Sequence, residues 1–253
     1  MAEEKGGKSL KAPKRKKAPA KKRKFLDRVT FFLRAAAFTC VGLFVFSILW
    51  ACAYRFVAPP GTMLMAERKL GGHVIIHPWR PIGEISPHLV TAVIAAEDTR
   101  FCLHNGIDFE AIDKAMEEAE KGKRLRGAST ISQQTAKNAF LWGHRSWMRK
   151  GAEAWMTVLI ETVWPKRRVM EVYLNIAEWG DGLFGAEAAA QKRFGKSAKD
   201  LTQQEAALLA AVLPNPHKWR VDPPGPYVRK RTYTIRSRMA QVKRDGLDAC
   251  VAK

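Results

Sequence analysis

Residues 86–98 read SPHLVTAVIAAED and decide the fold, because they predict a buried helix that ends on two carboxylates. Ser86 followed by Pro87 is typical of a helix start, with a capping hydroxyl and a proline at the first helical position. Most residues from there to the acidic pair Glu97-Asp98 are small or apolar. The positions that follow at helical spacing are Leu89, Val93, Ile94 and Glu97.

The helical pattern continues toward the C-terminus. A capping box of Thr130 with Gln133 predicts a helix to about Leu141. A second box, of Thr202 with Glu205, predicts an Ala/Leu-rich helix. Further helices are expected at about 148–164, from Pro165 onward and at about 227–244. No alternation of strands with helices indicates a parallel sheet, so we predict a mainly α fold.

Toward the N-terminus, residues 35–54 read AAAFTCVGLFVFSILWACAY without a charge, which is enough to cross a bilayer as a helix. We therefore expect a single transmembrane helix within residues 31–55. The positive-inside rule places the basic tail, residues 1–30, in the cytoplasm and the rest in the periplasm. A cleaved signal is the alternative, because Ala51-Cys52-Ala53 has a small-x-small pattern, although the apolar stretch is longer than usual for one.

The charge of the chain is strongly positive, with 44 Lys and Arg against 24 Asp and Glu. Residues 1–28 alone carry 12 basic and three acidic residues. Because the bilayer separates this tail from the folded part and no nucleic-acid-reading motif is present, we expect no nucleic-acid partner. An apolar content of 47% with eight Trp excludes wholesale disorder.

Two segments complete the predicted domain organisation. Residues 56–80 are expected to be a linker and an extended lead-in, or a small hairpin around Gly71-Gly72. Residues 81–245 are expected to form the folded domain. Outside the apolar helix, Cys102 and Cys250 are the only exported thiols, and the sequence leaves open whether they pair.

The first candidate site residues are Glu97 and Asp98. A carboxylate that emerges from an apolar wall is desolvated, which raises its pKa and suits it to proton transfer. The alternative is that the pair merely ends a helix near solvent, with His104 as a local partner. No His or Cys stands at a metal-ligand spacing, so we expect no protein-held metal.

The second group of candidates surrounds the start of the helix at Thr130. Hydroxyls at a helix start present free N–H groups that suit a phosphate, while Gln134, Lys137 and Asn138 share one face further on. Plain capping by Ser129 or Thr130 is the alternative. Residues 109–126, just before, are polar and rich in Gly and Lys, which predicts a mobile flap over the site.

The third group is cationic. Arg145 and Arg149 lie four residues apart, beside Lys150, and their charges repel unless an anion or Glu153 lies among them. A solvated salt-bridged face is the alternative. A desolvated carboxylate together with clustered cations suits displacement of a phosphate-type leaving group by an activated hydroxyl.

These residues resemble the signatures of the family 51 peptidoglycan glycosyltransferases. The first three signatures match Glu97-Asp98-Thr99-Arg100-Phe101-x-x-His104-x-Gly106-x-Asp108, Gly127-x-Ser129-Thr130-Ile131-x-Gln133-Gln134-x-x-Lys137-Asn138 and Arg149-Lys150-x-x-Glu153. The fourth and fifth match Glu171-x-Tyr173-Leu174-Asn175 and Gly185-x-Glu187-x-Ala189-Ala190 with Phe194-Gly195. The match runs over about residues 81–214 and resembles the monofunctional branch of the family.

The resemblance implies a lysozyme-like α-helical domain and an inverting glycosyl transfer. Glu97 would be the general base that deprotonates the 4-hydroxyl of the acceptor GlcNAc, and Glu153 a second functional glutamate at the diphosphate. The implied substrate- and diphosphate-binding residues are Ser129, Gln134, Lys137, Arg145, Arg149 and Lys150. The implied supporting residues are Asp98, Phe101, His104, Gly127, Thr130 and Asn138.

The resemblance also implies the partners of the chain. These are lipid II, the lipid-linked glycan chain, the bacterial cytoplasmic membrane and, as candidates, other cell-wall synthesis proteins. No cofactor is obligatory, and any Mg²⁺ would be held mainly by the substrate diphosphate. Two alternatives stay open: a lytic murein hydrolase of lysozyme-like fold, and a non-catalytic cell-wall scaffold.

Overall fold

The computed structural model describes residues 20–122 and 129–252, and the described chain is mainly helical, as predicted. Our expectations for residues 1–19 of the tail, for residues 123–126 of the expected flap and for Gly127 lie outside the described residues. The helices are α1 Ala20–Phe56, α2 Met63–Leu70, α3 Pro87–Glu97, α4 Phe109–Glu120, α5 Ile131–Phe140, α6 Trp147–Val163, α7 Lys166–Ile176, α8 Ala186–Phe194, α9 Gln203–Val212, α10 Pro226–Arg244 and α11 Ala249–Ala252. Short 3₁₀ turns lie at Ile82–Glu84 and Ala198–Asp200, and β1 Glu178–Gly180 pairs antiparallel with β2 Leu183–Phe184.

The long helix α1 contains the predicted membrane segment. Within its part Asp27–Phe56, an 18-residue window reaches a mean hydropathy of 2.1, so this part is long and apolar enough to cross a membrane. The chain divides into two compact units between Phe46 and Ser47. The first unit holds the N-terminal part of α1, and the second holds its last turns together with all the elements that follow.

Within the second unit, the last turns of α1 pack against the helical domain. The Trp164 indole N–H donates to the Ala51 carbonyl at 2.7 Å, and the Arg168 guanidinium donates to the Tyr54 carbonyl at 2.7 Å. Phe140 contacts the rings of Trp50 and Tyr54 with centroids 5.2 and 5.5 Å away. These residues of the apolar helix are therefore part of the folded domain.

The lead-in differs from the prediction, because residues 63–70 form helix α2 instead of an extended strand or hairpin. The Thr62 side chain accepts a hydrogen bond from the Met65 amide at 3.2 Å, and Met65 is buried. A hydroxyl cap and one anchored apolar residue thus start a helix that the sequence pattern missed. Gly72, with φ +85°, follows its end, and the chain becomes extended only near Ile76.

Helix α4 occupies most of the segment that we expected to form a flap, whose conformation the sequence left open. Residues 109–120, which we expected to be part of a flap, are helical because Asp108 caps them: its Oδ1 accepts from the Ala111 amide at 3.0 Å. None of its residues is buried. Phe109, Ile112 and Met116 recur at helical spacing along α4, so the sequence held a helical signal that the polar composition of the segment obscured.

Helix α3 lies at the centre of the core, as its sequence predicts. It packs against α9 and α10, and Leu89, Val93 and Ile94 are fully buried. Helices α5, α6 and α7 form a neighbouring group. Because residues 89–95 of α3 are buried, the packing of this stretch sets where the helix ends and thereby positions Glu97.

A disulfide connects this region to the C-terminus. Cys102, four residues after Asp98, pairs with Cys250 of α11 across 148 residues of sequence. The sequence left open whether these two cysteines pair, and the structure shows that they do. The bond ties α11 to the loop that follows the acidic pair.

Candidate active site

Glu97 ends α3 with a side chain that is only 13% exposed. Its Oε2 accepts a hydrogen bond from the Gln134 amide at 3.0 Å. Its Oε1 is buried without a hydrogen-bond partner among the described residues, and the Arg231 guanidinium lies 3.6 Å away. Burial raises the pKa of Glu97, and Gln134 and Arg231 oppose part of that rise. One oxygen of a desolvated carboxylate is therefore free to accept a proton.

Asp98 has a structural environment, although it is next to Glu97 in sequence. His104 Nε2 lies 3.0 Å from its Oδ1, and the Ile131 amide donates to its Oδ2 at 3.0 Å. It thus joins the end of α3 to the first residue of α5. This connection sets the position of Gln134 relative to Glu97.

Three supporting residues pack the same junction. The Thr130 hydroxyl caps α5 and donates to the Gly106 carbonyl at 2.5 Å. Gly106 has φ +90°, and a Cβ there would lie 2.7 Å from the Thr157 side chain, so the turn requires glycine. Phe101 is fully buried, with the Lys166 ammonium 4.5 Å from its ring centroid.

The predicted cations come together around Glu153. The Arg149 guanidinium donates to Glu153 Oε2 at 2.8 Å, and Lys150 contacts its Oε1. Glu153 itself is buried. Burial lowers the pKa of Lys137, Glu153 opposes this, and the positive charges of Arg149, Arg145 and Lys150 lower it further. Glu153 thus pairs with two of the four cations, Arg149 and Lys150, and one carboxylate among four positive side chains leaves an excess of positive charge for an anionic ligand.

Gln134 links the carboxylate to this cationic cluster. It lies on α5 one turn before Lys137, and the Tyr173 hydroxyl donates to its Oε1 at 3.4 Å. That contact directs the amide NH₂ group toward Glu97. Asn138 follows Lys137 and is partly buried.

An open cleft of about 350 Å³ lies in front of Glu97. Ser129, which is exposed, lines it beside Thr130. Residues from α4 line it as well, including Lys114 and Glu118. Glu97 and Asp98 line the cleft at the end of α3, so a ligand that enters it lies next to the candidate base.

Sequence reasoning missed Arg231. It lies on the basic helix α10, beyond the last signature, and nothing in the sequence distinguishes it from the other basic residues of that helix. Tyr173 was quoted only as part of the fourth signature. Two other residues of that signature accept hydrogen bonds from backbone amides. The Ile82 amide donates to Glu171 at 2.8 Å, and the Arg80 amide donates to Asn175 at 2.8 Å.

Two groups of described His and acidic side chains come within 4.8 Å of one another, which is close enough to consider a metal. In the first, Asp98 and His104 bind each other, while Asp108 caps α4 and pairs with Arg100 at 3.3 Å. The second is formed by Glu178, Asp181 and His217, with the Arg68 guanidinium 3.2 Å from Glu178 and 2.9 Å from His217. Contacts with other protein groups thus explain why these His and acidic side chains lie close together in both groups.

Comparisons of the whole chain with known proteins identify its family. A family model described as Transglycosylase matches residues 68–240. A biosynthetic peptidoglycan transglycosylase of Rhodospirillum centenum is 59% identical over 227 residues, which cover 89% of this chain and 98% of the relative. Proteins of the same description from Caulobacter vibrioides and Pseudomonas aeruginosa are 58% and 52% identical, covering 79% of this chain and 87% and 88% of their own lengths. The chain therefore belongs to the transglycosylase family, as a peptidoglycan glycosyltransferase.

Proposed function

We propose that this protein polymerises glycan strands from lipid II at the outer face of the cytoplasmic membrane. The growing lipid-linked chain is the donor, and the GlcNAc 4-hydroxyl of lipid II is the acceptor. The observation that carries the proposal is a desolvated carboxylate, Glu97, held by Gln134 of α5, the helix whose next turn carries Lys137 of the cationic cluster.

Glu97 acts as the general base. Its free Oε1 takes the proton of the acceptor 4-hydroxyl, while Gln134 holds Oε2. The hydroxyl oxygen then forms a bond to the anomeric carbon of the donor, on the face opposite the leaving group, so the link inverts from α to β. A raised pKa makes the carboxylate a better proton acceptor once it is ionised.

The cationic cluster receives the leaving group. As the bond from the anomeric carbon to the diphosphate oxygen breaks, its electron pair stays on undecaprenyl diphosphate. Lys137, Arg145, Arg149 and Lys150 neutralise the developing charge, which lowers the barrier in a partly desolvated site. Glu153 holds Arg149 and Lys150 in position in the absence of substrate.

The described residues around these cations do not fit a protein-held Mg²⁺. Magnesium requires several oxygen ligands in octahedral geometry, and the carboxylate of Glu153 is engaged by two cationic side chains. A divalent ion that accompanies the diphosphate belongs to the substrate. No step of the mechanism is routed through it.

We propose that the N-terminus lies in the cytoplasm and the catalytic domain in the periplasm, with α1 retained as an anchor. The basic residues before α1 support this orientation by the positive-inside rule. The contacts of Trp50 with Phe140 and of Ala51 with Trp164 support retention, because cleavage after residue 53 would remove these packed residues from the domain.

The test is polymerisation of labelled lipid II by the purified full-length chain. We expect products that lysozyme digests, and loss of at least about 100-fold in rate for Glu97→Gln, which keeps the shape of the side chain and removes the base. Binding of lipid II should persist in that variant. Normal polymerisation by Glu97→Gln would contradict the mechanism, and digestion of finished glycan without use of lipid II would identify a hydrolase instead.

A further inference from the structure

A second cleft, of about 240 Å³, lies beside the candidate base, and the five signatures do not account for it. Ala96, the neighbour of Glu97, lines it together with residues of α10. Those α10 residues are Tyr227, Lys230, Arg231, Thr234, Ile235 and Arg238. We propose that this cleft, the α10 cleft, binds the peptide carboxylates of the acceptor lipid II. The proposal rests on the function proposed above.

The charge of the α10 cleft favours an anion. Helix α10 carries seven basic residues and no acidic residue between Pro226 and Arg244. Lys230 and Arg238 are exposed and form no ion pair with any residue that the structure describes. Cations aligned on one helical face without a counterion repel one another, and an anionic ligand relieves that repulsion.

The position of the α10 cleft assigns it to the acceptor. Arg231 lines the cleft and lies 3.6 Å from Glu97 Oε1, the oxygen that is free to take the acceptor proton. The donor diphosphate is accounted for by the cluster around Glu153, which Gln134 joins to the other carboxylate oxygen. A molecule that presents its hydroxyl to Oε1 can therefore extend along α10.

Lipid II offers two kinds of anion, its diphosphate and the carboxylates of its peptide, and the spacing favours the peptide. Lys230 and Arg238 are eight residues apart, which places them about 12 Å apart along the helix axis. A compact diphosphate suits clustered cations such as those around Glu153, whereas separated charges suit carboxylates spread along an extended chain. Tyr227, half exposed and packed at a tilt against Trp219 with 4.3 Å between ring centroids, adds an aromatic wall at the same cleft.

The test combines a protein change with a substrate change. Lys230→Gln/Arg238→Gln in the full-length chain is compared with wild type on lipid II and on lipid II whose peptide carboxylates are amidated. We expect the apparent KM of the double variant for ordinary lipid II to rise roughly 5- to 10-fold, the effect of two exposed ion pairs, with kcat within about twofold. On amidated lipid II, variant and wild type should have the same KM.

The matched control is Arg229→Gln/Arg236→Gln, which removes two charges from the same helix outside the cleft. Its KM should stay within about twofold of wild type on both substrates. An equal rise in KM on both substrates for the cleft variant would assign the cations to the diphosphate and overturn the proposal. So would an unchanged KM on ordinary lipid II.

Two further results keep the test decisive. Wild type should itself lose affinity for amidated lipid II by a similar factor, a comparison that needs no variant and so cannot be obscured by misfolding. If wild type polymerises neither substrate, the proposed function fails; if it polymerises both with equal KM, only the α10 cleft proposal fails.

Discussion

Replacing Arg231 by Gln tests how the structure sets the protonation of the base. The guanidinium lies 3.6 Å from Glu97 Oε1. Coulomb's law gives about 1 kcal/mol at that distance in water and about 5 kcal/mol at an effective dielectric constant of 20. Because 27% of the Arg231 side chain is exposed, solvent screens the pair toward the lower figure, about 1–2 kcal/mol.

The direction of the effect follows from the charges. Burial already raises the pKa of Glu97, and Arg231 is one of the groups that hold it down. Removing the positive charge therefore raises that pKa further, so the base becomes ionised only at higher pH. At low pH, on the acid limb of the profile, kcat/KM of Arg231→Gln should be roughly tenfold lower than that of wild type, relative to any difference on the plateau. About 1.4 kcal/mol corresponds to a factor of ten.

The assay is the pH dependence of kcat/KM for lipid II polymerisation, measured for wild type, Arg231→Gln and Arg231→Lys. The glutamine variant should move the acid limb to higher pH, and the lysine variant should keep it near that of wild type. A limb that stays in place in Arg231→Gln, or moves to lower pH, would refute the electrostatic coupling of Arg231 to Glu97.

Three further predictions concern the cationic cluster and the disulfide. Since the pKa of Lys137 is lowered, its charge is lost early as the pH rises; Lys137→Arg, which stays charged, should move the alkaline limb of the same profile to higher pH. Glu153→Gln leaves the buried Arg149 without its counterion, so the free energy of unfolding should fall by about 3 kcal/mol in denaturant titrations, and an unchanged midpoint would contradict the pairing. Cys102→Ser opens a loop of 148 residues and should lower the melting temperature by roughly 10 °C, as should reduction of wild type, whereas the variant should be insensitive to reductant.

The successes and failures of the sequence analysis have particular physical causes. Helix α3 and both capping boxes were predicted correctly because their signals are local: a cap, a proline and an apolar period. Helices α2 and α4 were missed because the Gly71-Gly72 pair favoured a hairpin and the polar composition of residues 109–126 favoured a flap. The available signals were the caps, Thr62 and Asp108, and the apolar residues of α4 at helical spacing, Phe109, Ile112 and Met116.

The sequence by itself determined which groups this protein has available: an apolar helix of membrane-crossing length, a carboxylate at the end of a buried helix, and basic residues in three groups. These are properties of short segments, which local spacing specifies. Tertiary structure decided which of these groups meet. Gln134 reaches Glu97, and Arg231 approaches its other oxygen across 134 residues, because α3 packs against α10 while Asp98 joins it to α5. Contacts between distant segments depend on packing, and no single stretch of the chain encodes them.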